Sequence, residues 1–196
     1  MTVESTSHAW PALLALGALH GLNPGMGWLF AVGLGLQERD RRAVWGALGP
    51  LALGHALAIA AAVLLAAALG TVLPLGALRW VVAAVLVGFG ARRLVRHHHV
   101  RFGGMRMTRR ELTAWSFLMA SAHGAGLMVL PLVLGAAPGP AAAPLVHTAG
   151  YLVVTGVLAV VIYEKVGLRV LRRAWVNLDP VWAAALIATG VATVLL

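Results

Sequence analysis

Apolar positions along the chain gather into six long runs, at about residues 10–36, 44–69, 77–95, 112–136, 145–163 and 180–196. Each is near the ~20 residues that cross a bilayer core, so the pattern predicts six spanning helices. The first run is interrupted. His20-Gly21-Leu22-Asn23-Pro24-Gly25-Met26-Gly27 sets polar and helix-breaking residues inside it. Proline lacks an N–H and clashes with the preceding turn, and the glycines weaken the helix around it, so a break is predicted there. In lipid, such a break survives only where protein or a water-filled cavity covers the freed backbone groups.

Charge then orients the runs. Arg39, Arg41 and Arg42 follow the first run, while Arg92, Arg93, Arg96, Arg101, Arg106, Arg109 and Arg110 flank the connection after the third. Lys165, Arg169, Arg172 and Arg173 follow the fifth, which leaves Arg79 as the one exception among 15 basic residues. Basic residues gather on the cytoplasmic side, so the alternation predicts an N-out, C-out topology. The connection Ala136-Ala137-Pro138-Gly139-Pro140 carries no charge, and Gly70-Thr71-Val72-Leu73-Pro74-Leu75-Gly76 reads as a hairpin. Before the last run, Asp179 is expected to cap a helix with Pro180 at its first position.

Composition agrees with a membrane protein and excludes a soluble domain: 61% of residues are hydrophobic, 11% are charged, and mean hydropathy is +0.89. The net charge of +9 belongs to the loops, where basic residues meet anionic headgroups. It does not argue for nucleic acid, because the long Arg-rich loop holds no aromatic beyond Phe102. With no cysteine, disulfides, thiol metal sites and thiol redox relays are excluded. The first nine residues hold Glu4 and His8 but no Lys or Arg, so the first run is expected to be a retained helix. One transmembrane domain over 1–196 is expected: a first unit at about 10–95, a cytoplasmic loop at about 96–111, and a second unit at about 112–196.

The two halves look like copies of one unit. Leu19-His20-Gly21 followed by Met26 parallels Ala122-His123-Gly124 followed by Met128, and Gly54-His55-Ala56 parallels Val146-His147-Thr148. Three spans per unit is odd, so the second copy is inverted, as in many secondary transporters with sites at broken helices. Ionisable residues inside spans usually face a pathway or bundle interior, which makes His20, His55 and His123 candidate site residues. His147, near the outer end of its run, is read as a structural or entrance residue. Asn23, Pro24, Met26, Met119, Ser121 and Met128 lie around these histidines. Imidazole and thioether together suit borderline or soft metal ions, giving a candidate metal set of His20, His55, His123 and Met26. Glu4, Glu38, Asp40, Glu111, Glu164 and Asp179 all fall at run ends or in loops, which disfavours magnesium and calcium. A proton-coupled solute, or an anion met by a half-helix N-terminus, stays open. His97-His98-His99 is either a metal-collecting stretch at the inner mouth or a solvated one.

His20-Gly21-Leu22-Asn23-Pro24-Gly25-Met26-Gly27 resembles the His-Ala-x-Gly-Pro-Gly-His-Gly signature of NicO-type nickel/cobalt efflux permeases, part of the lysine-exporter superfamily. His20, Pro24-Gly25 and Gly27 match; Asn23 replaces a glycine, and Met26 stands at the second histidine. Gly54-His55-Ala56 resembles the histidine-bearing second helix of those permeases. The resemblance covers roughly the first three runs and is faint in the second half, at His123-Gly124. It implies a bundle of two inverted three-helix units in a prokaryotic inner membrane, exporting a metal ion as cargo with no resident cofactor. Met26 at the histidine position makes copper(I) or a non-metal solute comparable to nickel or cobalt. The electron-carrier branch of the superfamily needs paired cysteines and is set aside.

Two other classes compete. An intramembrane serine protease needs a serine opposed to a histidine; Ser121 adjoins His123 within one helical run, and Ser116 has no glycine context. The expectation is therefore no enzyme. A non-transporting assembly or partner subunit would use its glycines, such as Gly17 with Gly21, only for packing. The expected partners are the bilayer, the transported ion or solute, and a second copy if a dimer completes the pathway.

Overall fold

The computed structural model describes residues 3–95, 107–135, 141–166 and 179–195. Every regular element among them is helical: α1 (Val3–Leu22), a 3-10 turn (Pro24–Met26), α2 (Trp28–Glu38), α3 (Arg41–Gly70), α4 (Leu75–Val95), α5 (Arg109–Ala122), α6 (Ala125–Gly135), α7 (Ala142–Val161) with a π-helical turn (Ile162–Val166), and α8 (Asp179–Leu195). His97-His98-His99, the connection 136–140, and Arg169, Arg172 and Arg173 lie outside the described residues, as does the Asp179 side chain that was expected to cap α8.

Three helices, Arg41–Gly70, Leu75–Arg92 and Ala142–Lys165, are long and apolar enough to cross a membrane. The pair α5 and α6, bent by 61° at its junction, is long and apolar enough for a fourth if the two cross together as one broken span. Ala9–Leu22 and Pro180–Leu195 are apolar but shorter. The first expected span is cut in two by its break, into α1, whose apolar stretch is Ala9–Leu22, and the 11-residue α2.

That break falls where proline and glycine chemistry requires. Asn23 leaves the helix in an extended conformation, its Oδ1 accepts from the Gly25 N–H at 2.9 Å, and Pro24 opens the 3-10 turn. Gly27 sits at φ 141°, a conformation that a side chain disfavours. The freed carbonyls find protein donors: Trp28 Nε1 donates to Leu22 O at 3.1 Å, and the Tyr151 hydroxyl donates to Met26 O at 2.6 Å. The second break, at His123-Gly124, lacks Asn-Pro and turns on Gly124 at φ 74°.

Three helix pairs dominate the packing: α1 with α7, α3 with α5, and α4 with α8. Small residues let these backbones approach closely. A Cβ on Gly17 would collide with the His147 carbonyl, and one on Gly150 with the Leu14 carbonyl. Gly54 lies against the Thr113 carbonyl, beside the Ser116 hydroxyl that donates to Leu51 O at 2.6 Å. Between α4 and α8 the contacts are reciprocal. A Cβ on Gly90 would lie 2.9 Å from the Ala183 carbonyl oxygen, and one on Gly190 would lie 3.1 Å from that of Ala83. One apolar cluster joins Leu13, Ile59, Leu86, Met128 and Trp182; a second joins Trp28, Val32, Val44, Leu51 and Leu112. Leu64, Leu65, Trp80 and Leu145 point outward, each at least 62% exposed, as suits a lipid-facing belt.

The described parts of the basic connections meet on one face. Arg41 Nε pairs with Glu164 at 3.0 Å, tying the α2–α3 connection to the π-helical turn. A cavity of about 270 Å³ brings Glu38, Asp40 and Arg42 together with Met107 and Arg109. Helix starts on this face are capped: Asp40 Oδ1 accepts from Arg42 N at 2.8 Å, and Thr108 with Glu111 forms a capping box. The Thr108 N–H and hydroxyl hold the Glu111 carboxyl below its ordinary range.

Candidate functional site

At the centre of the bundle three imidazoles meet, His20 from α1, His55 from α3 and His147 from α7, and all three are fully buried. Ring centres are 5.6 Å apart for His20 and His55, 5.0 Å for His20 and His147, and 5.4 Å for His55 and His147. The glycine contacts that draw α1 onto α7 bring the first and third rings together, because His147 lies one turn before Gly150. Tyr151, one turn after His147, stacks on His55 at 4.0 Å and 7°. Trp182 of α8 closes the cluster 4.6 Å from His20.

The hydrogen bonds assign chemistry to these rings. His20 Nδ1 lies 2.8 Å from the Leu16 carbonyl. A carbonyl only accepts, so Nδ1 carries the proton and Nε2 of the neutral ring keeps a lone pair. This is the arrangement of metal-ligating histidines, whose other ring N–H is held by a carbonyl. His123 repeats it, with Nδ1 2.8 Å from Met119 O.

His55 and His147 differ. Neither ring nitrogen of His55 has a hydrogen-bond partner among the described residues, whereas the His147 ring meets only the Leu13 backbone, outside good hydrogen-bond geometry. The Thr148 hydroxyl is buried without a partner as well. Leaving a buried polar group unmet costs about 1–3 kcal/mol. A cluster of such groups therefore marks a place where something else belongs.

A tetrahedral ion with metal–nitrogen bonds of ~2.1 Å holds its imidazole centres roughly 5 Å apart, close to the separations seen here. The rings are not aimed at one point. His55 and His147 lie parallel within 8°. Among the described residues, no three His, Cys, Asp or Glu side chains surround a common centre as a metal requires. The expected set of His20, His55, His123 and Met26 is thus not an assembled coordination shell. Sharing an ion requires an imidazole to turn about its Cβ–Cγ bond, a torsion with a broad energy profile.

The other expected residues fall around the cluster. His123, 7% exposed, caps α5 and meets the far side of the cluster through Trp182, 6.1 Å ring to ring. Asn23 uses its side-chain oxygen in the turn at Pro24, and Met26 is buried with its carbonyl taken by Tyr151. Met119 reaches Gly25, and Met128 packs in the larger apolar cluster. His147, read from sequence as structural or at an entrance, is fully buried in the cluster rather than at the outer end of its helix. Its Cα lies in α7, which begins at Ala142, and α1 covers it. Tyr151 and Trp182 were not expected at all. The spacing of Tyr151 four residues after His147 places both on one helix face and is the signal that could have found it; nothing in the sequence marks Trp182. The acidic residues with described side chains, Glu38, Asp40, Glu111 and Glu164, are exposed at helix ends.

No family model, curated protein or solved structure matches the chain.

Proposed function

We propose that the chain is a small membrane permease whose cargo is a transition-metal ion, taken up by the imidazoles of His20, His55 and His147. The observation that carries the reading is the buried His55 ring, whose nitrogens meet no hydrogen-bond partner among the described residues, set within 5.6 Å of the His20 and His147 rings. Neutral imidazoles suit nickel, cobalt, zinc or copper, while the absence of acidic side chains from the described interior disfavours hard cations. Broken helices beside the cluster supply the transporter-like element, since a break is where a helix can hinge.

The reading includes six membrane crossings as two inverted three-helix units, the first built from α1 to α4 and the second from α5 to α8. Its support is the packing pattern. Exchanging the halves turns the α1–α7 pair into α5–α3 and returns α4–α8 to itself, with Gly90 on Ala183 and Gly190 on Ala83. Reciprocal contact of this kind is the mark of a two-fold relation. In an antiparallel pair that axis runs across the helices. The face carrying Arg41, Arg42 and Arg109 is assigned to the cytoplasm of a prokaryotic inner membrane, with both termini outside. No catalysis is assigned: the Ser116 hydroxyl is engaged by the Leu51 carbonyl.

A second reading, a partner subunit that transports nothing alone, draws on the close stacking of His55 on Tyr151, in which the rings merely pack. The purified protein in sealed vesicles separates the two. Flux of nickel, cobalt, zinc or copper(I) above that of empty vesicles is expected, with loss of at least about tenfold, or 1.4 kcal/mol, in His55→Ala or His147→Ala. Flux absent for every ion, or unchanged in both variants, refutes the metal permease.

A further inference from the structure

The outer surface of the α3–α5 pair carries a groove of about 740 Å³ lined by Gly49, Pro50, Leu53, Leu57, Phe117 and Leu118 along its length. Arg109 and Arg110 stand at its end, with Thr113 and Ala114 completing the wall. Its volume is in the ~300–1,000 Å³ range of small-molecule sites. The groove runs along helices rather than into the bundle, and Leu53, Leu57 and Leu118 are each at least 47% exposed.

From this juxtaposition, an apolar channel along two helices ending in a pair of arginines, we infer that the groove binds one anionic glycerophospholipid, its phosphate on Arg109 and Arg110 and an acyl chain against Leu53, Leu57 and Phe117. Charge complementarity selects the occupant. Among the described residues the sole ion pair is Arg41 with Glu164, so neither Arg109 nor Arg110 is matched by a carboxylate there. Of the nearby carboxylates, Glu111 is bound to Thr108 at 2.7 Å and Asp40 caps the Arg42 N–H, while Glu38 shares the smaller cavity with Arg109 without pairing to it. Guanidinium groups bind phosphate through paired hydrogen bonds, and basic pockets between membrane helices recognise lipid headgroups. A second copy of the chain docked two-fold on this face would bring further arginines to it, so charge disfavours that occupant.

The site also has a consequence for the histidine cluster. Gly54 packs closely against Thr113 and Phe117, both of which line the groove, and His55 is the residue next to Gly54. A lipid lying across both helices braces the element that carries His55.

The full-length protein in a mild detergent, with phosphatidylglycerol, phosphatidylcholine or sn-glycerol 3-phosphate added, tests this by native mass spectrometry. Phosphatidylglycerol is expected to be retained at one molecule per chain and phosphatidylcholine not. Arg109→Gln with Arg110→Gln is expected to weaken retention roughly thirtyfold, at ~1 kcal/mol per basic residue. Gly49→Leu puts a side chain at the groove wall where an added Cβ meets nothing within 4 Å, and is expected to displace the lipid while leaving the protein folded. Equal retention of phosphatidylcholine, or retention unchanged in both variants, overturns the proposal. So does full protection by sn-glycerol 3-phosphate alone, which would make the arginines an anion site only, and so does a stable dimer that Gly49→Leu disrupts.

Discussion

Replacing His55 and His147 together by leucine is expected to stabilise the metal-free protein while abolishing its response to metal. No hydrogen bond is lost at the two His55 nitrogens, which have no partner among the described residues, and only the poorly aligned contact with the Leu13 backbone is lost at His147; each unmet group costs about 1–3 kcal/mol. The change also forfeits the stacking of His55 on Tyr151, worth about 0.5–1.5 kcal/mol. Relief of the unmet polar groups outweighs that loss. A net gain of about 2–4 kcal/mol corresponds to a Tm rise of roughly 4–16 °C in detergent. In the unaltered protein, a metal at about 100 times its Kd adds ~2.7 kcal/mol, and the double variant is expected to show none of that shift. A variant that is less stable, yet still stabilised by metal, would mean that the two rings are packing groups.

The largest structural effect is expected at Gly17. Its Cα faces the His147 carbonyl so closely that any Cβ collides with backbone rather than with a side chain that can turn away. Gly17→Val therefore forces α1 off α7, and with it His20 off His147. Overpacking ordinarily costs about 1–3 kcal/mol, and a backbone collision belongs at or above the top of that range. A Tm fall of roughly 6–12 °C is expected, together with loss of metal stabilisation. Gly33→Ala, with open space around its Cβ, is the matched control and is expected to be neutral or to gain up to ~1 kcal/mol in helix propensity. Equal behaviour of the two variants would contradict the close α1–α7 contact.

The chain reveals its local chemistry more readily than its tertiary neighbourhood. The break after Leu22 is readable because Asn23, Pro24 and Gly27 impose it within a few residues, and the structure ends α1 there. What satisfies the break is not readable: the donors are Trp28 and Tyr151, the latter 125 residues away. The parallel between His20 and His123 is visible in sequence and recurs as the same ring-to-carbonyl bond four residues back. Yet the residue that joins His20 and His55 is His147. Its place near the start of an apolar run suggests an outer position, but depth depends on what packs over a residue. Here Gly17 and Gly150 allow α1 to cover it, and glycine spacing of that kind is common in any apolar sequence. Trp182, likewise near the start of its run, is buried against His20 and His123 in the larger apolar cluster. Helix and span number follow the same division. The apolar runs predict helices well, but whether a broken or short run crosses a membrane depends on its partners.

The most direct measurement is a cobalt(II) titration of the detergent-purified protein, followed by visible absorption, with His97, His98 and His99 changed to alanine so that the loop contributes no ligand. Three imidazoles on one ion give bands of tetrahedral type that saturate at one cobalt per chain and vanish in His55→Leu with His147→Leu. Absence of such bands, or bands that persist undiminished in the double variant, would contradict a shared metal site at His20, His55 and His147.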